Sequence, residues 1–272
     1  MGKAWLPFAS YNLWSQFAPP VGQERWYCDM KRGYAKVRKR EPEVTAILAE
    51  DTQPQRVGLL AQRGVYEFHA DAQRLANDDG LAQVSQILRL EQESHGVKER
   101  LNQILSKYCE NPILLGKRIF SLSRGDEGVP EPIRIRCGNY AFHLFAAIDC
   151  IFLEPDGTLH ILDFKTGRSD FDERQAFVYL LAASYLYPQR RAIASFYNLE
   201  LCKWSEPITA TASQLNAVRI ELMRLAQRHE WEKKQYRKNP VDFERIFPPN
   251  PGFQCKHCQF NRICQFSTRE IS

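Results

Sequence analysis

The amino-acid sequence predicts an α/β fold in which a central mixed sheet is flanked by helices. Apolar residues recur at helical spacing on both sides of a strand-rich block, and this arrangement is typical of α/β domains. The last two strand-like segments of the block are apolar without interruption, as expected for strands buried on both faces of a sheet. With 272 residues, of which 44% are hydrophobic, the chain is long enough to bury one large core, with or without an appendage.

Two helices are predicted before the strand-rich block. The first, residues 58–76, has apolar residues at helical spacing and contains Glu67 and His69. The second, residues 97–108, has its apolar residues on one face and ends at Asn111-Pro112, because the residue before a proline avoids the helical conformation. Residues 81–93, between the two, form a polar stretch of helical character.

Strands dominate between residues 115 and 165. Alternating residues predict strands at 118–122 and 133–137, and continuous apolar runs predict strands at 142–153 and 159–164. After this block we expect a helix at 173–187, closed by Pro188, and a strand pair at 192–199 and 201–208. A long amphipathic helix is predicted at 213–236, and its C-terminal end is strongly basic.

A predicted hairpin brings two acidic residues and a lysine together. Asp149 lies at the end of one apolar run, the turn 155–157 follows, and the next run leads into Asp163-Phe164-Lys165. The far ends of two strands joined by a tight turn lie side by side, so the two carboxylates approach one point. Asp163 and Lys165 share a face, because side chains two apart in a strand point the same way. Two carboxylates and a lysine at a strand end suit a hard divalent cation and a water that it activates.

The predicted helix after the hairpin carries Gln175 and Tyr179, which are one turn apart and therefore share a face. Taken in order, the pattern D…DxKTG…QxxxY, from Asp149 through Thr166-Gly167 to Tyr179, resembles the PD-(D/E)xK nucleases and, within them, the RecB-like branch. The resemblance implies a restriction-endonuclease-like core and a metal-dependent DNA nuclease that hydrolyses phosphodiester bonds. It also implies that Gln175 and Tyr179 support the site and contact the DNA.

The resemblance implies a role for each residue of the strand motif. Asp149 and Asp163, with the carbonyl of Phe164, would bind Mg²⁺ or Mn²⁺, and Lys165 would position or activate the attacking water. The expected activity is that of an exonuclease on single-stranded DNA or DNA ends, in DNA repair, recombination or CRISPR adaptation. The alternative is a non-catalytic nucleic-acid-binding module that keeps the nuclease fold, although the acids, the lysine and the glutamine are all retained.

A histidine on an upstream helix adds a metal ligand in the RecB-like branch, usually four residues after a glycine. Here Gly64 and His69 are five residues apart, and Gln62 lies four residues after Gly58. His69 is the predicted ligand, because a neutral imidazole is a good metal ligand. The alternative for His69 is a histidine satisfied within the core, and Glu67 is an outside candidate for the ligand.

Three cysteines near the end of the chain form a CxxC motif followed by x5-C: Cys255, Cys258 and Cys264. Three thiolates at this spacing indicate one bound ion or cluster whose fourth ligand comes from elsewhere, and Cys28 is the natural choice. The arrangement resembles the iron–sulfur motif of certain RecB-like nucleases, among them the CRISPR-associated single-strand exonucleases and the AddB-type helicase-nucleases, and implies a [4Fe–4S] cluster. Zinc, held by the three cysteines with Cys28 or His257, is the alternative occupant.

These motifs divide the chain into three predicted parts. Residues 1–44 form an aromatic and basic segment that contributes one cysteine, residues 45–240 form the nuclease core, and residues 241–272 form the cysteine motif. The aromatic residues between Trp5 and Tyr34, beside the basic residues at 31–40, suit stacking on bases and binding of phosphates. They equally suit a hydrophobic lid packed on the core with a solvated charged flank.

The overall charge and composition restrict the partners. The net charge of +5 is compatible with a polyanion, and DNA is the expected partner. No apolar run approaches the roughly 18 residues that a membrane span needs, so no membrane partner and a cytoplasmic location are expected. In that compartment the eight cysteines are expected to be thiols and metal ligands. The sequence contains no GxxxxGK[ST] motif, so a helicase or CRISPR adaptation partner would be a separate protein.

Overall fold

The structure is a computed structural model that describes residues 6–19, 22–167 and 171–267. Trp5 of the predicted aromatic segment lies outside the described residues. The chain consists of two units that interleave along the sequence. We call them the terminal unit, which comprises Met1–Asp51, Arg134–Leu144 and Arg219–Ser272, and the central unit, which comprises Thr52–Ile133 and Phe145–Val218.

The described residues form ten α-helices and eight strands, joined by turns and short 3-10 segments. The helices are α1 (Tyr11–Phe17), α2 (Asp29–Lys36), α3 (Pro42–Ala49), α4 (Gln53–Ala70), α5 (Gln73–Ala76), α6 (Gly80–Ile87), α7 (His95–Glu110), α8 (Glu173–Leu186), α9 (Ala212–Lys238) and α10 (Phe243–Ile246). The strands are β1 (Phe8–Ser10), β2 (Arg118–Leu122), β3 (Ile133–Cys137), β4 (Tyr140–Phe145), β5 (Cys150–Leu153), β6 (Leu159–Lys165), β7 (Ala192–Asn198) and β8 (Lys203–Trp204).

The central unit is built on a five-stranded mixed sheet in the order β2-β5-β6-β7-β8. Strands β5 and β6 are antiparallel, with Cys150 opposite Leu162, and β6 and β7 are parallel. Every residue of β6 is buried except the half-buried Lys165, which confirms a strand covered on both faces. A mixed sheet flanked by helices confirms the predicted α/β class and is consistent with a restriction-endonuclease-like fold.

The two faces of this sheet pack against different helices. Phe152, Leu162 and Phe164 belong to one apolar cluster with residues of α4, α6 and α7. Ile151 and Ile161 belong to another cluster with residues of α8. Because side chains alternate between faces along a strand, residues of β6 with the parity of Ile161 face α8. This alternation directs the acid at position 163 toward α8.

The predicted strand 142–153 is two strands in different sheets. β4 pairs with β1 and β3 in a three-stranded sheet of order β1-β4-β3, whereas β5 joins the central sheet. Residues 146–149 lie between them and belong to neither. β5 is buried on both faces, whereas only Phe142 and Leu144 of β4 are buried. The apolar run nevertheless continues across the break and gives no signal of it. The predicted strand 201–208 is likewise reduced to β8 and a single bridge between Ala194 and Ile208.

The terminal unit has its own apolar core. Met30, Tyr34, Phe243, Phe247 and Phe260 form a buried cluster, and the ring of Tyr34 stacks on that of Phe260 with centroids 5.2 Å apart. The aromatic segment is thus largely helical, and part of it packs inward. None of the helices in the described part of the chain is long and apolar enough to cross a membrane.

Candidate active site

The hairpin of β5 and β6 places the two predicted acids next to each other. Asp149 immediately precedes β5, and the pairing of Cys150 with Leu162 sets it beside Asp163 on β6. The backbone N–H of Phe164 donates a hydrogen bond to Oδ2 of Asp149 at 2.8 Å. The carboxylate of Asp149 is therefore fixed against the strand that carries Asp163.

Two side chains of helix α8 hold Asp163, the second acid. Nε2 of Gln175 donates to Oδ1 of Asp163 at 2.7 Å and to the hydroxyl oxygen of Tyr179 at 2.6 Å. The Tyr179 hydroxyl donates in turn to the same Oδ1 of Asp163 at 2.7 Å. All three side chains are buried. One oxygen of Asp163 is thus held by two donors, which orients the whole carboxylate.

The other oxygen of Asp163 lies beside the lysine of the motif. Nζ of Lys165 is 2.6 Å from Oδ2 of Asp163 and donates a hydrogen bond to Oε1 of Gln175 at 2.7 Å. The ion pair with Asp163 does not have hydrogen-bond angles, so the buried Oδ2 accepts no hydrogen bond from the described residues. The side chain of Lys165 is about one-third exposed, at 32%. Part of the Lys165 side chain is therefore accessible to solvent.

The electrostatics of the site reflect two carboxylates that share one ammonium group. Burial, and then the neighbouring Asp163, raise the pKa of Asp149 well above its usual range, although Phe164 N–H and Lys165 favour its charged form. Burial and the nearby carboxylates also raise the pKa of Tyr179 well above that of a free phenol. The Tyr179 hydroxyl therefore stays protonated and remains a donor. Two carboxylates with one ammonium group between them are short of one positive charge, and an added cation would supply it.

From α4, the side chain of Gln62 acts on Asp149, where it favours the charged form of the carboxyl and lowers its pKa. Nε2 of His69 lies 2.7 Å from the hydroxyl oxygen of Tyr108 instead, and burial lowers the pKa of His69. Within the described residues, no contact joins His69 to either acid. Gln62 and His69 are seven positions apart, a separation of about 10 Å along a helix. The structure thus brings Gln62, and not His69, to the acids.

The upstream alternative, Glu67, is engaged elsewhere. Its carboxylate pairs with Arg74 at 3.0 Å and lies 3.9 Å from Arg124. Gln62 is the functional candidate that sequence reasoning did not select, although its position four residues after Gly58 was the available signal.

The residues present fit a hard divalent cation. The buried Oδ2 of Asp163 has no hydrogen-bond donor among the described residues. Burial and the neighbouring Asp163 raise the pKa of Asp149 despite the groups that favour its charged form. Carboxylate, carbonyl and amide oxygens are the ligands that Mg²⁺ and Mn²⁺ prefer. No group of three or more His, Cys, Asp or Glu residues is arranged to hold a metal within 6–19, 22–167 and 171–267. Within the described residues, further protein ligands would be backbone, amide or hydroxyl oxygens.

The four predicted cluster ligands line a single cavity of about 50 Å³ in the terminal unit: Cys28, Cys255, Cys258 and Cys264. Burial, and to a smaller degree the Cys28 thiol, raise the pKa values of two of the four, Cys258 and Cys264. The N–H of Gly252 donates to Sγ of Cys255 at 3.4 Å. The thiols are neighbours, yet they are not arranged as a metal-binding group in the part of the chain that the structure describes.

His257, the alternative zinc ligand, packs against two aromatic rings. Its ring centroid lies 6.2 Å from that of Trp26 and 5.7 Å from that of Phe253. No hydrogen bond to the His257 ring is present among the described residues.

Comparison with known proteins shows the family of this chain. The family model of the PD-(D/E)XK nuclease superfamily matches residues 25–265, and the chain belongs to this superfamily. Its members are generally nucleases that hydrolyse phosphodiester bonds with the help of divalent metal ions such as Mg²⁺ or Mn²⁺. A nucleic acid is the substrate that this membership implies.

The other two comparisons are weaker. No curated protein matches the chain. Among solved structures, the crystal structure of SSO0001 is similar, with 14% sequence identity and a TM-score of 0.31. The match covers 92% of this chain and 98% of that one. A TM-score this low does not establish a common fold.

Proposed function

We propose that the protein is a divalent-metal-dependent deoxyribonuclease that hydrolyses phosphodiester bonds in single-stranded DNA or at DNA ends. The observation that carries this proposal is the state of Asp163. Its Oδ1 is held by Gln175 and Tyr179, whereas its buried Oδ2 accepts no hydrogen bond from the described residues. The Lys165 ammonium group lies 2.6 Å from this oxygen, but it is one positive charge beside two buried carboxylates, and a divalent cation would supply the missing charge.

Each residue of the network has a role in this proposal. A Mg²⁺ or Mn²⁺ ion bound there would lower the pKa of its water and offset negative charge in the transition state. Asp149, Asp163 and the carbonyl of Phe164 would hold the ion. Lys165, whose Nζ lies between Asp163 and Gln175, would orient the water and neutralise charge on the phosphate. Because its side chain is about one-third exposed, Lys165 is accessible to a substrate.

The experiment that tests the proposal is Mn²⁺-dependent cleavage of single-stranded DNA by the wild type and by Asp163→Ala. We expect the variant to lose cleavage, because it removes the oxygen with no hydrogen-bond donor. The matched control is Asp78→Ala, which removes an exposed carboxylate of the same unit and should cleave like the wild type. Equal cleavage by Asp163→Ala and the wild type would dismiss this active site. DNA binding without cleavage by the wild type would favour the non-catalytic module.

The ligand from α4 is a separate question. We propose that Gln62 supports the metal site, because it contacts Asp149, and that His69 packs within the core with Tyr108. Gln62→Ala should raise the Mn²⁺ concentration needed for half-maximal cleavage about tenfold or more, as loss of a supporting partner usually does. His69→Ala should leave that concentration unchanged. The opposite result would restore His69 as the ligand.

We also propose that Cys28, Cys255, Cys258 and Cys264 bind a structural [4Fe–4S] cluster. The shared cavity and the N–H donated to Cys255 support it. A cluster that joins residues so far apart in sequence closes a very long loop and stabilises the fold. Anaerobic purification with iron and zinc quantitation distinguishes the cluster from its zinc alternative.

A cysteine substitution tests the structural role of this cluster. Cys258→Ala should lose the bound iron and unfold at a lower temperature than the wild type. Cys137→Ala removes a half-buried cysteine elsewhere in the terminal unit and should keep the metal. A Cys258→Ala protein that is folded, active and as stable as the wild type would contradict a structural role of the proposed cluster.

A further inference from the structure

A second cavity of the terminal unit, of about 540 Å³, is lined by basic side chains. We call it the basic cavity. Its volume lies within the range of about 300–1,000 Å³ that is usual for ligand sites. No acidic residue of the described chain lines it. Its polar lining includes Lys36, Lys39, Arg40, His229, Lys233 and Arg237.

Most of the cations around the basic cavity have no counter-charge. Within the described residues, the side chains of Lys36, Lys39, Arg40 and Arg237 make no hydrogen bond and no ion pair. Lys233 is different, because its Nζ lies 3.1 Å from Glu230. Lys36 is half-buried, and burial together with neighbouring positive charge lowers its pKa. The unpaired charge of Lys36 is thus half-buried, which is costly unless an anion offsets it, whereas Lys39, Arg40 and Arg237 are exposed.

Other cations of the terminal unit pair with acidic side chains. The guanidinium of Arg32 is buried between the carboxylates of Asp29 and Glu232. Arg38 pairs with Glu41, with Nε at 2.7 Å from Oε1. The terminal unit therefore has acidic residues that neutralise its structural arginines. Their absence from the basic cavity distinguishes this place from an ordinary salt-bridged surface.

A histidine in the lining provides an independent indication of a ligand. His229 is only 3% exposed, and its Nδ1 is buried with no hydrogen-bond partner among the described residues. Burial and the nearby Lys233, Lys36 and Arg32 lower the pKa of His229 to about 3, so the ring is neutral. A neutral imidazole protonated at Nδ1 offers one N–H donor. That donor is unused within the protein.

We propose that the basic cavity binds phosphate groups of a nucleic-acid strand. Lysine and arginine bind phosphate oxygens by charge and hydrogen bonding, and the Nδ1–H form of His229 adds a neutral donor. Phe8 and Tyr236 also line the cavity and supply aromatic surface for a base or sugar. The phosphate chemistry rests on the cavity itself, whereas the strand as its source rests on the proposed nuclease function.

Binding is tested in the Asp163→Ala protein with EDTA present, so that the result does not depend on cleavage or on metal. The probe is a short fluorescein-labelled oligothymidylate, followed by fluorescence anisotropy over a range of salt concentrations. The cavity variant is Lys36→Gln/Arg237→Gln. Its matched control is Lys234→Gln/Lys238→Gln, which removes the same charge from exposed positions of α9 that do not line the cavity. A second cavity variant, Lys39→Gln/Arg40→Gln, changes only exposed side chains and guards against misfolding of the first.

We expect both cavity variants to bind at least about tenfold more weakly than the control. The slope of log affinity against log salt should also become shallower by about 1.4, since each phosphate contact of a single strand contributes about 0.7. Equal weakening of the cavity variants and the control would overturn the proposal, because it would reflect general charge alone. Thymidine monophosphate serves as the second probe. If it binds as tightly as the oligomer and the cavity variants lose it, the site takes a free nucleotide and the strand is overturned as the source.

Failure of this proposal and failure of the nuclease function give different results. If the wild type cleaves DNA and Asp163→Ala does not, the proposed nuclease site holds. If all the lysine and arginine variants then bind DNA equally well, the proposal for the basic cavity is wrong. If the wild type does not cleave DNA but the variants show the expected differences in binding, the proposal for the basic cavity holds and the proposed nuclease site is wrong.

Discussion

Removing one hydroxyl group from the buried network should weaken both the fold and the activity. Tyr179→Phe deletes the donor to Oδ1 of Asp163 and the acceptor for Gln175 Nε2. A hydrogen bond to a charged group contributes about 1.5–3 kcal/mol, and Gln175 keeps its own bond to Asp163, so we expect the free energy of unfolding to fall by about 2 kcal/mol. Because Tyr179 orients a metal-binding carboxylate, cleavage should fall by about 10–100-fold.

Urea denaturation and Mn²⁺-dependent cleavage, measured on the same preparation, check these two values. The matched control is Tyr185→Phe on the same helix, since Tyr185 is exposed and its hydroxyl has no partner among the described residues. That control should change stability by no more than about 0.5 kcal/mol. A Tyr179→Phe protein with wild-type stability and wild-type cleavage would refute the reasoning that Tyr179 holds Asp163 in place.

Three further predictions follow from the same contacts. Burial and Asp163 raise the pKa of Asp149, so the metal-free protein should lose stability as pH rises through the folded-state pKa. Asp149→Asn removes the charge and should stabilise the metal-free protein at neutral pH by about 1–2 kcal/mol, while abolishing cleavage; a destabilised variant would contradict this. The lowered pKa of His229, about 3 against an ordinary 6.5, means that the unfolded chain binds a proton that the folded protein does not. Urea titrations should therefore lose about 2 kcal/mol between pH 7 and pH 5 in the wild type and clearly less in His229→Gln, and equal losses would count against a neutral His229. Gly125 and Gly128 both have positive φ, +87° and +86°, but only a Cβ at Gly125 would approach Gln62, at 2.9 Å. Gly125→Ala and Gly128→Ala should each cost about 1–2 kcal/mol of stability. Only Gly125→Ala should raise the Mn²⁺ concentration needed for half-maximal cleavage. A similar rise of that concentration in both variants would contradict a role of Gln62 at the metal site.

The centre of the site could be predicted because its residues are linked by local geometry. Asp163 and Lys165 are two apart on one strand, and Gln175 and Tyr179 are four apart on one helix, so the sequence fixes which of them share a face. The hairpin turn at 154–158 sets the register that brings Asp149 alongside. The contacts of Gln175 and Tyr179 with Asp163 also require that α8 packs against β6, and the resemblance to the nuclease family implied that packing.

The features that sequence reasoning missed depend on distant packing. Whether Gln62 or His69 of α4 meets the acids is decided by the rotation and position of that helix on the sheet, which its own periodicity does not contain. The break in the run 142–153 is hidden because apolar residues continue from β4 into β5, although the two strands belong to separate sheets. The basic cavity joins residues of α2 to residues of α9, roughly 190 positions apart, and only the fold shows that their cations share one space.

The most direct test of the proposed active site is to measure metal binding and cleavage separately in variants of Asp163 and Lys165. Mn²⁺ binding by isothermal titration calorimetry and Mn²⁺-dependent cleavage of single-stranded DNA are measured together on the wild type, Asp163→Asn and Lys165→Gln. We expect Asp163→Asn to lose both binding and cleavage. Lys165→Gln should keep or strengthen Mn²⁺ binding, since it removes a positive charge 2.6 Å from the Asp163 carboxylate, while losing cleavage. Wild-type cleavage in either variant, or Mn²⁺ binding unchanged in Asp163→Asn, would contradict the assignment.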